Sequence, residues 1–233
     1  MPSGLRGVVF DLFGTLISTT ADSVFANRRL LAEDLGMDAD AFERVRREAR
    51  EQSETGGTGG ARETLAFFAR QAGVQPRPDA LRRATERWLD AYRRWLTPEP
   101  STLEALDGLR AAGNRLGLLT NCGPAVEAVW AESPLAARFD ATAFSSEVGF
   151  LKPHPETYRI ACERLGLAPR ECLYVGDGGD NELTGAAAAG LHPVLIEATA
   201  GMNLAWLTPN HEDATWPGPR IGELSQVAGL LAT

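Results

Sequence analysis

Four residues combine a reactive side chain with a place at or just past the end of an apolar run: Asp11, Thr120, Lys152 and Asp177. Asp11 ends the run VVFD and precedes a Gly14-Thr15 turn, where a carboxylate can serve as a nucleophile and glycine permits a tight backbone close to a ligand. Thr120 and Asn121 close RLGLLTN, where a hydroxyl and free backbone amides can donate to an anionic oxygen. Lys152 lies in GFLKPHPETY. Gly149 and Pro153 force an irregular loop there, and an ammonium held in it can neutralise a transferring phosphoryl group. Asp177 lies in LYVGDGGDNELTGAAAAG. Carboxylates on a glycine-rich loop suit a hard cation such as Mg²⁺, held by a few protein oxygens and water. Each motif alone also reads as ordinary structure: Asp11 and Asp177 as turn formers, Thr120 as a polar loop start, Lys152 as a surface lysine. Asp180 and Glu182 suit helix-start charges as well as they suit ligands.

The elements that must position these groups follow from the apolar pattern. Gly7 to Phe10, Arg115 to Asn121, Ala141 to Ser146, Cys172 to Asp177 and His192 to Glu197 read as short buried strands separated by helices. That alternation predicts an α/β fold, a parallel sheet covered on both faces. Ligand groups then sit on loops at the carboxyl ends of strands, where the four residues fall. Between Ile17 and Leu96 only helical patterns occur. One is capped by Thr19 or Thr20 and carries Val24, Leu31 and Leu35. A second runs from Asp40 to Gln52. A third carries Leu65, Phe68, Ala69 and Ala72 at i, i+3, i+4 and i+7, and a fourth starts near Pro78 and carries Leu81, Trp88 and Tyr92. The run TGGTGG at Thr55 to Gly60 predicts a mobile loop, and Thr97-Pro98-Glu99-Pro100 a return linker.

Composition narrows the function. The net charge of -8 does not suit non-specific binding to nucleic acid or an anionic membrane, although a pocket can still be locally positive. Cys122, Cys162 and Cys172 form no C-x-x-C pair and fit free thiols in a reducing compartment. No apolar run approaches the ~20 residues of a membrane span, and the N-terminus lacks a signal-peptide pattern. These features predict a cytoplasmic protein.

In this order, FDLFGTL, GLLTN, LKPHPETY and VGDGGDNELTGA resemble the haloacid dehalogenase superfamily of aspartate-nucleophile hydrolases. The resemblance implies a Rossmann-like core from residues 1–16 and 97–233 and a mobile helical cap at residues 17–96. It implies Asp11 as nucleophile, Thr120 holding the transferred group, and Lys152 orienting Asp11 and the substrate. Asp177 would hold Mg²⁺ with Asp11 and the main-chain carbonyl of Phe13. Asn121, Gly14 and Thr15 would contact a small phosphorylated or otherwise anionic substrate.

Phe13 departs from the pattern. Phosphatases of the family usually carry a second Asp there, which protonates the leaving oxygen and then activates water. General acid–base help is worth about 10²–10⁴-fold, so alkyl phosphates should suffer most from its loss. The family's dehalogenases carry Tyr at this position and expel a halide that needs no proton. They also need no metal and read Ser-Ser-Asn where this chain has Gly176-Asp177. That difference favours a metal-dependent phosphoryl site over dehalogenation, with a binding-only protein as a third reading. His154, Glu54 and Glu63 can each be considered as a replacement acid and Arg62 as an anion contact. Their simpler roles are a helix cap for His154 and solvated loop charges for the others. Trp88 and Tyr92 read most simply as core residues of the helical region.

Overall fold

Parallel pairing is dictated by the strand–helix alternation, and the computed structural model, which describes residues 4–197, 211–212 and 214–231, contains it. Strands β1 (Gly7–Phe10), β2 (Arg115–Thr120), β3 (Ala141–Phe144), β4 (Cys172–Gly176), β5 (His192–Ile196) and β6 (Arg220–Ile221) form one sheet in the order β3-β2-β1-β4-β5-β6. All five pairings are parallel, with Phe10 in register with Leu118 on one side and Val175 on the other. The chain turns one way from β1 to reach β2 and the other way to reach β4. The carboxyl ends of β1, β2 and β4 therefore meet at a topological switch point, where open α/β sheets bind ligands.

Helices α1 (Ala21–Leu35), α2 (Ala39–Glu48), α3 (Arg50–Glu54), α4 (Ala61–Gln71) and α5 (Pro78–Trp95) lie between β1 and β2. The remainder are α6 (Pro100–Ala111), α7 (Pro124–Val129), α8 (Ser145–Val148), α9 (Pro155–Leu165), α10 (Glu182–Ala188) and α11 (Val227–Leu231). Side-chain alternation along β1 splits the core in two. Val8 and Phe10 pack with Leu106, Leu109, Leu116 and Leu118. Val9 packs on the opposite face with Leu119, Tyr158, Ala161 and Leu165. The helices before β2 bury a separate cluster built on Leu31, Leu35, Phe42, Leu65, Phe68 and Leu81.

Several predicted boundaries move. β2, β4 and β5 each stop one residue early, leaving Asn121, Asp177 and Glu197 in loops, and Ser145 and Ser146 open α8 rather than extend β3. The helix expected over 40–52 breaks at Ala49 (φ -97°, ψ 12°). The break redirects Arg50, which meets Asp180 of the sheet region. Thr55 to Gly60 is a hydrogen-bonded turn where a mobile loop is expected. Gly57 N–H donates to Gln52 O at 2.8 Å, Gly59 N–H to Gly56 O at 3.1 Å, and the Thr58 and Thr64 hydroxyls meet at 2.7 Å. Pro100 is the first residue of α6, so the return linker ends at Glu99. The two-residue β6 is too short for any periodic signal. The predicted core segments include residues 1–3, 198–210, 213 and 232–233, which lie outside the described residues.

Candidate active site

Asp11 leaves β1 with its N–H bonded to Val175 O of β4 at 2.9 Å, which sets its carboxylate beside the β4 loop. The chain then reverses. Gly14 adopts φ +85°, and the N–H groups of Leu16 and Ile17 both donate to Leu12 O at 2.9 Å. This reversal turns Gly14 and Thr15 away from the cavity above Asp11. They line a second cavity. Thr15 still acts on the site, because its hydroxyl donates to Asp11 Oδ2 at 3.3 Å.

Lys152 organises the floor. Its Nζ donates to Asp11 Oδ1 at 2.6 Å, to Glu182 Oε2 at 2.5 Å and to the Tyr174 hydroxyl at 3.1 Å. Three acceptors use all three ammonium protons. Glu182 also accepts from the Tyr174 hydroxyl at 2.6 Å and from Gly178 N–H at 3.0 Å. A side chain at Gly176 would collide with the Glu182 carboxylate, which is why glycine ends β4. Asp177 accepts from Gly179 N–H at 3.2 Å, and its other oxygen lies 3.3 Å from His211 Nε2.

Asp11, Asp177 and Glu182 bring one carboxylate oxygen each to within 4.8 Å of one another, all buried. Three carboxylates face one ammonium in this volume. Burial raises the Asp11 pKa, partly offset by Lys152 and reinforced by Asp177. Burial pushes Glu182 up to about 8 against the same lysine. Burial alone would lower Lys152, but Asp11 and Glu182 hold it well above its usual range, and it stays charged. The donor set, hard oxygens in negative excess on a glycine-rich loop, fits a divalent cation. The hydroxyl of Thr120, at the end of β2, is buried and has no hydrogen-bond partner among the described residues. An orphaned buried hydroxyl marks a place for a ligand acceptor.

Asn121 lines the cavity, but its amide is spent on protein. It accepts from Lys152 N–H at 2.8 Å and donates to Asp180 Oδ2 at 3.0 Å and Lys152 O at 3.3 Å. It braces the lysine loop. Asp180 lies in a short 3-10 turn at Gly179–Asn181, just before α10, and is not part of the carboxylate cluster. Arg50 grips it with both terminal nitrogens, at 2.6 and 3.2 Å, while Arg50 Nε holds Glu54 at 3.0 Å. That bidentate grip, together with Asn121, holds Asp180 at φ +55°, an unusual conformation for a residue with a side chain.

Helices α1 to α5 roof the cavity. Phe13 meets Tyr92 edge to face at 6.2 Å, and Tyr92 meets Trp88 at 6.2 Å and Trp95 at 5.1 Å. Trp88 and Tyr92 are thus cavity wall as well as core. Glu54, Arg28, Arg46 and Arg50 also line it, whereas Arg62 and Glu63 do not. His154 Nδ1 caps α9 by accepting from Glu156 N–H at 3.2 Å, and its ring stacks on Phe150 at 4.5 Å. Sequence reasoning left Glu182 undecided and passed over Tyr174, Arg50 and His211. None of these three carries a local signal.

A parallel sheet carries a buried aspartate, a lysine clamp and an acidic loop at its switch point, and comparisons with known proteins place this arrangement. The sequence model of haloacid dehalogenase-like hydrolases matches residues 5–190. The chain is 30% identical to a glyceraldehyde 3-phosphate phosphatase of Methanopyrus kandleri over 197 residues, covering 82% of this chain and 84% of that protein. It is 27% identical to (S)-2-haloacid dehalogenase 4A of Burkholderia cepacia over 244 residues, covering 100% of this chain and 97% of that protein. The fold matches a 2-haloacid dehalogenase structure from Pseudomonas syringae with TM-score 0.70 at 22% identity, over 98% of each chain. The chain belongs to the haloacid dehalogenase-like hydrolases and is a hydrolase. No helix among the described residues is long and apolar enough to cross a membrane.

Proposed function

We propose that this chain is a Mg²⁺-dependent phosphatase of small phosphorylated substrates working through an aspartyl-phosphate on Asp11. The observation that carries this is the buried trio Asp11, Asp177 and Glu182, in negative excess beside a single lysine. Lys152 and Thr15 each fix one Asp11 oxygen, so the nucleophile is oriented before substrate arrives. An Asp11 oxygen attacks phosphorus, the P–O bond to the leaving group breaks, and the departing oxygen takes its proton from solvent. Water then attacks phosphorus and releases inorganic phosphate and the Asp11 carboxylate. Thr120 donates to a phosphoryl oxygen. Asp11, Asp177 and the Phe13 carbonyl would hold Mg²⁺, which would supply positive charge against the transferring group. The helices between residues 17 and 96 act as the cap over the core. The three cysteines are free and buried, which supports a reducing, cytoplasmic setting. The test is hydrolysis of an activated aryl phosphate, expected to stop with EDTA and return with Mg²⁺. Activity that survives both EDTA and Asp11→Asn would overturn the proposal.

One observation favours a second reading. Phe13 completes an aromatic wall with Tyr92, and a dry wall suits a leaving halide, which needs no proton. Halide release from 2-halo acids without metal would establish that chemistry.

Thr120→Val separates function from structure. The hydroxyl has no hydrogen-bond partner among the described residues, so removing it should barely move the melting temperature. Losing one hydrogen bond to a charged phosphoryl group costs about 1.5–3 kcal/mol, or roughly 10- to 150-fold in kcat/KM. A large loss of stability with unchanged kcat/KM would refute that role.

Mg²⁺ should also stabilise the fold, and more so at higher pH. Without metal, burial makes Asp11 and Glu182 release their protons at higher pH than the unfolded chain does. The Glu182 contribution is complete below about 4.5 and is lost as pH rises through about 8, and the upward shift of Asp11 acts in the same direction. A cation takes over the compensation of the ionised carboxylates. At a hundredfold excess over Kd the gain is about 2.7 kcal/mol, and the rise in Tm should be larger near pH 8 than near pH 5. Thermal unfolding with and without Mg²⁺ at both values checks this, and a pH-independent rise counts against it.

A further inference from the structure

A chain of polar contacts runs from the helical roof to the lysine beside Asp11. It begins at Arg50, the first residue of α3, just past the helix break at Ala49. The Arg50 guanidinium donates to Asp180 Oδ1 at 3.2 Å and to Oδ2 at 2.6 Å. Asp180 Oδ2 also accepts from Asn121 Nδ2 at 3.0 Å. The Asn121 amide in turn holds both backbone polar groups of Lys152, accepting from its N–H at 2.8 Å and donating to its C=O at 3.3 Å. Lys152 Nζ then donates to Asp11 Oδ1 at 2.6 Å. The side chains of Arg50, Asp180 and Lys152 are 23%, 9% and 4% exposed, so water competes little with these links. A second ion pair between roof and sheet region, Arg93–Glu132, lies outside this chain and is 36% and 55% exposed. Asp180 and Asn181 both sit at φ +55°. That left-handed conformation is costly for residues with side chains and persists where the surroundings hold it in place. Arg50 supplies such a hold from the helices above.

We infer that Arg50 is a positioning residue for the reaction: its grip on Asp180 fixes Asn121, and through Asn121 the Lys152 loop, so that seating the helices on the sheet aligns the lysine with the nucleophile. This rests on the phosphatase reading above for the roles of Asp11 and Lys152. A guanidinium fork fixes a carboxylate in orientation as well as distance, and Asp180 passes that orientation to Asn121 through the oxygen they share with Arg50. Without Arg50, Asp180 can turn, Asn121 loses the acceptor that orients its amide, and the brace on both sides of Lys152 loosens. The ammonium then no longer meets Asp11 in one fixed place, and a misplacement of about 1 Å can cost roughly 10²-fold in rate.

The test measures hydrolysis of para-nitrophenyl phosphate with Mg²⁺, alongside amide hydrogen exchange at Lys152 by NMR. Arg50→Leu and Asp180→Asn should each lower kcat by roughly 10- to 100-fold with KM nearly unchanged. Asparagine tolerates the left-handed backbone but has one acceptor oxygen where the carboxylate has two. Arg50→Lys should retain part of the rate, since it keeps the charge and loses the fork. The double variant should lose no more than Arg50→Leu alone, because both changes cut the same chain. Arg93→Leu, which opens the other ion pair between roof and sheet region, should leave kcat unchanged. Exchange of the Lys152 amide should speed by about tenfold in Arg50→Leu and Asp180→Asn, the worth of one hydrogen bond, while the β1 amides stay protected. If Arg50→Leu does not fold, Asp180→Asn and Arg50→Lys decide the matter by the same readouts. Unchanged kcat, a loss confined to KM, losses that multiply in the double variant, or an unaltered Lys152 amide would each overturn the inference. If the wild type does not hydrolyse the ester, the phosphatase reading fails, and the exchange at Lys152 alone decides whether Arg50 sets its loop.

Discussion

Asp11→Asn is expected to lower hydrolysis of an activated aryl phosphate by roughly 10⁴-fold or more while the protein stays folded. Removing a nucleophile removes the covalent route itself, and such losses in other enzymes reach about 10⁶-fold. The fold survives because the amide keeps the shape of the carboxylate and an oxygen for Lys152, which donates to Asp11 Oδ1 at 2.6 Å. It also takes one negative charge from a buried group of three, and burial already disfavours ionised Asp11. Thermal stability in EDTA should therefore hold or rise slightly. The Mg²⁺-induced rise in Tm should shrink, because one ligand of the proposed cation is neutral. Rapid-quench trapping with labelled substrate should find a phosphoenzyme in the wild type and none in Asp11→Asn. A variant that still forms the phosphoenzyme would move the nucleophile elsewhere.

What was legible in the sequence was whatever local pattern and topology fix together. An apolar run that ends in Asp11, Thr120 or Asp177 is at once a buried strand and a group at its carboxyl end, so the parallel sheet places the residue. Lys152 was legible for the same reason, through the glycine and prolines that bend its loop. Glu182 was not. At the head of α10 a glutamate looks like any helix-start charge, and only Lys152, Tyr174 and the missing side chain of Gly176 show where it goes. Arg50 was invisible because its partner lies 130 positions away. Its direction also depends on a helix break at Ala49 that no proline or glycine announces. Gly14 and Thr15 were placed near the nucleophile correctly in sequence, but the reversal after Leu12 carries them to the other side of the loop. Trp88 and Tyr92 sit on a helix that packs against core on one side and lines a cavity on another, a distinction that helical periodicity does not carry.

Phe13→Asp should change which substrates react, more than how fast the best one does. In the wild type Phe13 stands two residues after Asp11, and on the proposed mechanism the leaving oxygen departs without an enzyme proton. The rate should then fall steeply as the pKa of the leaving alcohol rises across a series from nitrophenyl to alkyl phosphates. An aspartate at this position restores a proton donor. General acid–base help of about 10²–10⁴-fold should appear on alkyl phosphates and hardly at all on nitrophenyl phosphate, which flattens the dependence. The substitution has a structural cost. Phe13 gives up its edge-to-face contact with Tyr92, worth about 0.5–1.5 kcal/mol, and a carboxyl replaces a ring in an aromatic wall. That environment favours the protonated carboxyl, which is the form an acid catalyst needs in the first step. Phe13→Asn provides the control: it makes the same gap in the wall without a titratable proton, and should leave the slope steep. If Phe13→Asp and Phe13→Asn give the same slope as the wild type, then Phe13 does not limit the leaving group, and protonation comes from elsewhere in the cavity. Glu54 is then the residue to mutate, since it lines that cavity from the helical side and burial raises its pKa.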